Sequence, residues 1–206
     1  MKRILLGFLF VLYTTISSAK DPLVGLKMID MLKDGVYVRF GLGLPQLDYL
    51  GAGRVFQGLQ PSFELGSQHM FVKKSNKALG ANFSWFTIAT SLLERDDVSG
   101  WDLNLGLVRF GPMFSAKLAD ECAMDLFFNF SPTAKINLFT YELESYNYLY
   151  YGVLYVPGFQ FRFKRFIAGA EANFGSLFVD TMAKDKVPVL NKVSYYNPRI
   201  FIGVKY

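Results

Sequence analysis

Apolar and polar residues alternate along most of the chain with a period of two. The block at residues 123–138 is the clearest, because Met124, Leu126 and Phe128 alternate with Asp125 and Asn129. Such alternation places apolar side chains on one face of a β-strand and polar side chains on the other. We therefore predict an all-β protein with eight strands. The blocks lie at residues 35–44, 59–68, 78–90, 101–118, 123–138, 148–163, 166–175 and 196–206.

The fourth block changes parity part of the way along. Leu103, Leu105 and Leu107 form its first apolar series, but the series resumes at Phe110 instead of at the next odd position. One extra residue in a strand produces such a change, so we predict a β-bulge near Val108.

The connections between the blocks differ in length. Three short ones, at 72–77, 119–122 and 164–165, alternate with four longer ones, at 45–58, 91–100, 139–147 and 177–195. Short turns at one end and long loops at the other are typical of bacterial outer-membrane barrels, whose short turns face the periplasm. This pattern predicts an antiparallel up-and-down barrel with both termini at the end that carries the short turns.

The composition of the two faces distinguishes a membrane barrel from a soluble one. A lipocalin-like barrel or a β-sandwich also alternates, but its polar face meets water. Here the polar face repeatedly holds glycine, as at Gly41, Gly66 and Gly158, which weakens a solvated strand but suits a narrow lumen. The apolar face carries more aromatic rings than eight strands can enclose. We predict that these rings face lipid.

The first 19 residues have the features of a segment for export. Residues 1–19 combine a basic start, an apolar run from Ile4 to Ile16 and the small residues Ser17 and Ala19 before a cleavage point, as in a secretory signal peptide. A single membrane anchor is the alternative, but the run is shorter than the roughly 20 residues that a spanning helix needs. Residues 20–34 form a predicted amphipathic segment with a short helix before the first strand, and residues 35–206 form the predicted barrel.

The last strand ends on an aromatic residue, with Ile200, Ile202 and Val204 at alternate positions before Tyr206. It resembles the C-terminal insertion signal of outer-membrane barrels, which the periplasmic assembly machinery reads; phenylalanine is the more usual last residue. Together with the signal peptide and the eight blocks, the chain resembles a small barrel of the OmpA/OmpX type. The resemblance implies an outer-membrane location in a diderm bacterium.

The composition limits the available chemistry. The apolar fraction of 51% with only 19% charged residues excludes disorder, and the mean hydropathy of +0.22 is too low for a protein of many membrane helices. One cysteine, Cys122, and one histidine, His69, exclude a disulfide framework and a zinc centre of the usual ligands. The net charge of +5 includes two charges in the leader and gives no argument for binding nucleic acid. We predict no metal, cofactor or catalytic residue.

The polar face of the blocks also carries charged residues of both signs. Buried charges must pair, so we predict a salt-bridged plug in the lumen, with a narrow anion-preferring pore as the alternative. The predicted lumen charge network consists of Arg39, Glu64, Asp102, Arg109, Lys117, Asp125, Lys135, Arg162, Glu171, Arg199 and Lys205.

These observations favour a non-enzymatic barrel with a structural or adhesin-like role, exerted through its extracellular loops. The expected partners are the lipid bilayer, the assembly machinery, and lipopolysaccharide or a host surface protein at the loops. A lipid-modifying enzyme that uses His69 is one alternative, although Ser67 precedes this histidine by two residues where the deacylase pattern places serine after it. A soluble lipocalin-like carrier is the other.

Overall fold

The computed structural model describes residues 31–48, 54–95, 98–141, 144–181 and 191–206. The predicted signal peptide, the predicted amphipathic segment up to residue 30 and the middle of the predicted loop at 177–195 lie outside the described residues. Within those residues, no helix is long and apolar enough to cross a membrane.

Antiparallel pairing closes the strands into a barrel. The first strand pairs with the last from Tyr37 opposite Lys205 to Gly43 opposite Arg199, which joins the two ends of the sheet. The strands are β1 (Gly35–Gly43), β2 (Gln46–Asp48), β3 (Arg54–Phe56), β4 (Gln60–Lys73), β5 (Lys77–Arg95), β6 (Val98–Gly106), β7 (Arg109–Ala119), β8 (Cys122–Tyr141), β9 (Glu144–Phe163), β10 (Phe166–Thr181) and β11 (Asn191–Lys205).

Eight of these units form the barrel wall, and they correspond to the eight predicted blocks. β6 and β7 together make one strand of the wall, because both pair with β5 on one side and with β8 on the other. β2 and β3 form a small additional hairpin that pairs with the loop end of β11. The predicted all-β, eight-stranded, up-and-down barrel is thus confirmed.

The predicted bulge lies between β6 and β7. Gly106 pairs with Thr133 of β8, whereas Phe110 pairs with Phe130, so the β6–β7 strand has one residue more than β8 between these pairs. β5 carries a second irregularity that the sequence pattern does not indicate, where the register against β4 shifts and the consecutive residues Trp85 and Phe86 are both exposed.

The predicted loops are shorter in the structure, because strand pairing continues toward the tips. β5 and β6 stay paired as far as Arg95 and Val98, and β8 and β9 as far as Tyr141 and Glu144. The predicted loops at 91–100 and 139–147 are therefore mostly strand. The loop at 45–58 contains the β2–β3 hairpin.

The barrel wall is uneven in height. β8 and β9 have 20 residues each, whereas β1 has nine. Since a transmembrane strand needs about 9–11 residues, β8 and β9 are longer than a bilayer requires. Their excess length lies at the loop end.

Apolar side chains cover the outside of the barrel and charged ones lie inside. Trp85 is 50% exposed and Phe166 60% exposed, whereas Asp125, Asn129 and Lys135 are fully buried. A soluble lipocalin-like barrel requires the opposite arrangement, with apolar side chains inward.

Candidate functional site

Three arginines and two glutamates meet in the middle of the lumen. Glu64 accepts hydrogen bonds from Arg39 at 3.2 Å and from Arg109 at 3.1 Å. Glu171 accepts from Arg109 at 3.0 Å and from the Nε of Arg199 at 2.8 Å. All five residues are at most 6% exposed. Because each glutamate bridges two arginines, the pairing offsets part of the large cost of removing these charges from water.

Aromatic rings hold one side of this cluster. The Tyr37 hydroxyl donates to Glu64 at 2.7 Å, and the Arg39 guanidinium lies 4.0 Å from the centroid of the Tyr37 ring and 4.7 Å from that of Phe201. Both contacts have cation–π geometry. Gly66 makes room for this arrangement, since a Cβ there would lie 2.4 Å from the Tyr37 hydroxyl.

Two further ion pairs flank the central cluster. Nearer the short turns, Asp125 accepts from Arg162 through both carboxylate oxygens, at 2.7 and 2.8 Å. Nearer the loops, Asp102 accepts from Lys135 at 2.8 Å and also from the Ser91 hydroxyl. Each of these carboxylates thus has its own cationic partner.

The remaining two predicted lumen residues lie at the end with the short turns. Lys205 is 8% exposed and donates to neutral acceptors, the backbone carbonyl of Lys33 at 2.7 Å and the Gln68 side chain at 2.9 Å. Lys117 does not join the network: it pairs with Asp120 at 2.8 Å, and its side chain is 26% exposed. A side chain that points into the barrel is no longer surrounded by neighbouring strands where its own strand reaches the rim.

An apolar cluster closes the lumen at the end with the short turns. Leu32 packs there, and the carbonyl of Met31 accepts a hydrogen bond from Arg162. The chain just before β1 therefore enters the barrel mouth. The buried members of the cluster are Leu32, Tyr37, Met70, Ala78, Met113, Phe127, Ile167 and Phe201.

A second apolar cluster lies inside the barrel at the loop end, where the sequence pattern indicates no inward apolar group. Leu47 comes from the added β2 strand, and the other members come from β9, β10 and β11. Those strands carry apolar residues on both faces near the loops, so alternation does not reveal which face is inward. The buried members are Leu47, Tyr150, Leu154, Leu177, Val179, Val193 and Tyr195.

Between the loop-end cluster and the arginines lies a cavity of about 20 Å³. Arg109, Arg199, Asn197 and Tyr195 are among its lining residues. Roughly 10–15 Å³ is enough to hold one water molecule, so the cavity accommodates a single small occupant. The predicted salt-bridged plug stays a prediction, with the narrow pore as its alternative.

His69 lies on the outer face near the short turns, beside two groups from different parts of the chain. Its Nε2 is 3.1 Å from the Ser67 hydroxyl, and its Nδ1 is 3.9 Å from an Asp34 carboxylate oxygen. Asp34 also accepts the Met70 N–H at 2.8 Å; this hydrogen bond, assisted by Lys73, lowers the pKa of Asp34. From the sequence alone we predict only that His69 is an interfacial or turn residue, because the residue pattern does not indicate that Asp34 lies beside β4 in the fold.

The order of serine, histidine and carboxylate is that of a nucleophile–base–acid triad. Two features weaken it as a catalytic site. Ser67 is only 3% exposed, and β4 is paired on both sides, which engages its N–H groups in the sheet instead of presenting them to an oxyanion.

The predicted insertion signal lies on the outside of β11. Ile200 is 65% exposed, Ile202 56% and Tyr206 58%. Cys122 is half-buried at the first position of β8. Across the described residues, no group of three or more His, Cys, Asp or Glu side chains is arranged to hold a metal ion.

The closed antiparallel barrel, with its charged lumen and apolar exterior, has the fold of the small bacterial outer-membrane β-barrels. Ail, the attachment invasion locus protein of Yersinia pestis, matches it with a TM-score of 0.55 at 13% identity, over 84% of this chain and 99% of Ail. Ail in complex with the heparin analogue sucrose octasulfate gives a TM-score of 0.54 at 13% identity, with the same coverage of 84% and 99%.

The outer membrane protease OmpT from Escherichia coli matches with a TM-score of 0.50 at 8% identity, over 86% of this chain and 99% of OmpT. No family model and no curated protein matches the chain. At identities this low, the likeness establishes the fold alone.

Proposed function

We propose that the chain is an integral outer-membrane barrel of a diderm bacterium that acts without catalysis, as a structural or adhesin-like surface protein. One observation carries the proposal: the outside of the barrel is apolar and rich in aromatic rings, whereas the inside holds paired charges. Such a surface is stable in lipid and unstable in water. The short turns face the periplasm, and the tall hairpin of β8 and β9 stands on the cell surface.

The outer face of β11 is the proposed contact with the barrel-assembly machinery during insertion. The loop end is the proposed contact with lipopolysaccharide or a host surface protein. Two observations support the loop end: β8 and β9 are longer than a bilayer requires, and the loop between β10 and β11 contains Lys184 and Lys186. Ail, which shares the fold, is an attachment protein by name and has been solved with a heparin analogue.

Fractionation tests the location. We expect the protein in the outer-membrane fraction, with a gel mobility that changes on heating because the closed barrel resists unfolding in detergent. Recovery in the soluble periplasmic fraction would refute the membrane assignment.

A loop replacement tests the surface role. Replacing residues 182–190 by a short glycine–serine linker should weaken retention on immobilised heparin or lipopolysaccharide. A matched variant with residues 74–76 replaced, at the opposite end of the barrel, should bind like the wild type. Equal binding by all three proteins, or none by the wild type, would contradict a role for this loop with these two probes.

A lipid-modifying enzyme is the second candidate, favoured by the arrangement of Ser67, His69 and Asp34. In that role His69 would take the Ser67 proton while the hydroxyl attacks the carbonyl carbon of a lipid ester, and Asp34 would orient the imidazole. The ester's C–O bond would break as the alcohol leaves with that proton, and water would then release the fatty acid from the acyl-serine. Release of fatty acid from phospholipid vesicles by the wild type, but not by His69→Ala or Ser67→Ala, would establish this activity and overturn the non-enzymatic proposal. We expect no release from any of the three.

A further inference from the structure

The charges in the middle of the lumen do not balance among the described residues. Asp102 and Asp125 are each matched by one cation, Lys135 and Arg162 respectively. The central cluster has three arginines but only two glutamates, Glu64 and Glu171. One positive charge is therefore left over in a region where the side chains are almost fully buried, and an uncompensated buried charge is costly.

The cavity adjoins this excess charge. Arg109 and Arg199 both line it, and the rest of its lining consists of amide, hydroxyl and apolar residues together with one glycine, without a carboxylate. Arg109 is 3% exposed, and its Nε has no hydrogen-bond acceptor. A buried guanidinium with an unused donor, in the wall of a cavity that no carboxylate lines, is a candidate site for an acceptor.

We propose that this cavity binds one small monovalent anion of the halide class, which neutralises the extra positive charge of the three arginines. The cavity has room for an occupant of about the size of a water molecule. One monovalent anion matches the single excess positive charge, whereas a divalent anion such as sulfate would replace it with an excess negative charge. A water molecule also fits the space, but water leaves the charge uncompensated. This site is independent of what the loops bind.

Thermal unfolding of the purified, detergent-solubilised barrel tests the site at constant ionic strength. A ligand that binds only the folded state raises the unfolding midpoint in proportion to the logarithm of its concentration once the site is mostly occupied. We expect this rise with sodium chloride and sodium bromide, but not when sodium gluconate or sodium sulfate replaces them. Equal midpoints in all four salts would overturn the proposal.

A variant that supplies its own negative charge makes the test specific. Asn197 lines the cavity two residues before Arg199, and its Oδ1 has no hydrogen-bond partner. Asn197→Asp places a carboxylate there, and the Tyr195 hydroxyl, 3.1 Å from the Asn197 side-chain nitrogen, is close enough to donate to it. We expect the dependence on halide to disappear in this variant. If the unfolding midpoint of Asn197→Asp still depends on halide as strongly as that of the wild type, the anion does not bind in this cavity and the proposal is overturned.

Asn129→Asp is the matched control. Asn129 is fully buried in the same lumen and has two unpartnered side-chain atoms, but it does not line the cavity. This variant should keep the halide dependence of the wild type. Should either variant fail to fold, wild-type crystals grown in bromide decide the question: an anomalous peak inside the cavity that Arg109, Asn197 and Arg199 line supports the site, and its absence overturns the proposal.

Discussion

Two layers of the same lumen are stabilised in different ways. The middle layer is built from arginine–glutamate pairs that span β1, β4, β7, β10 and β11. The loop-end layer is built from apolar side chains, including Tyr150, Leu177 and Val193. In the middle layer, loss of one partner leaves another charge stranded, whereas in the loop-end layer a truncation only removes apolar contact and leaves a cavity. The middle layer should therefore tolerate substitution less well than the loop-end layer.

The largest expected effect comes from removing one central carboxylate. Glu171→Gln keeps the shape of the side chain but leaves Arg109 and Arg199 without their shared anion, and breaking such a buried pair costs about 3–5 kcal/mol. Urea unfolding of the barrel in detergent measures this free energy. The rim pair Lys117–Asp120 provides the control: Asp120 is exposed to water at the rim, so Lys117→Gln should change the midpoint little. Similar losses in both variants would remove the distinction between the buried network and a surface ion pair.

Truncation in the loop-end cluster should cost less. Leu177 is fully buried, and Leu177→Ala removes apolar contact from a packed site, for an expected loss of about 2–3 kcal/mol in the same unfolding measurement. Leu92→Ala is the matched control, because Leu92 is 64% exposed on the outer face. A loss for Leu177→Ala larger than that for Glu171→Gln would reverse the ranking of the two layers.

These two layers differ in how well the sequence predicts them. The middle layer follows from alternation, because Arg39, Glu64 and Glu171 each lie on the polar face of a block, between two apolar neighbours. The loop-end cluster does not, because its members Tyr150 and Leu154 alternate with residues such as Tyr151 and Val153 that are also apolar. A period of two therefore shows which face of a strand points into the lumen only where the two faces differ in polarity.

Other features depend on contacts that no local pattern contains. The β2–β3 hairpin forms because it pairs with β11, where Leu47 lies opposite Tyr195, 148 residues further along the chain. Asp34 meets His69 only because β1 and β4 are neighbours. The strands extend beyond the predicted blocks for a similar reason: pairing with a neighbour carries polar and glycine residues such as Ser99 and Gly100 into the sheet near the hairpin tips.

A smaller effect tests the polar boundary between the layers. The Tyr195 hydroxyl lies 3.1 Å from the Asn197 amide nitrogen, and its ring belongs to the apolar cluster. Tyr195→Phe keeps the ring and removes one acceptor, so we expect a loss of about 1 kcal/mol on urea unfolding. A loss as large as that of Leu177→Ala would mean that the boundary depends on the hydroxyl more than on the ring.

The smallest effect concerns a carboxylate at the rim. The pKa of Asp34 is lowered by the Met70 N–H and by Lys73. Because its pKa in the folded state is lower than in the unfolded state, Asp34 contributes stability above its unfolded pKa of about 4. This contribution is lost as the pH falls through the folded pKa. The unfolding midpoint of the wild type should therefore approach that of Asp34→Asn as the pH is lowered from about 6 to about 3. If the difference between the two unfolding midpoints stays constant across this pH range, titration of Asp34 is not its cause.

The central claim is that the outer face meets lipid while the lumen is closed and charged, and one native fluorophore tests it directly. The chain has two tryptophans, and Trp101→Phe leaves Trp85 alone on the outer face, where it is 50% exposed. In vesicles whose acyl chains carry bromine, we predict strong quenching of Trp85 fluorescence and protection from the aqueous quencher acrylamide. Fluorescence that is unaffected by the brominated lipid and fully quenched by acrylamide would contradict the account.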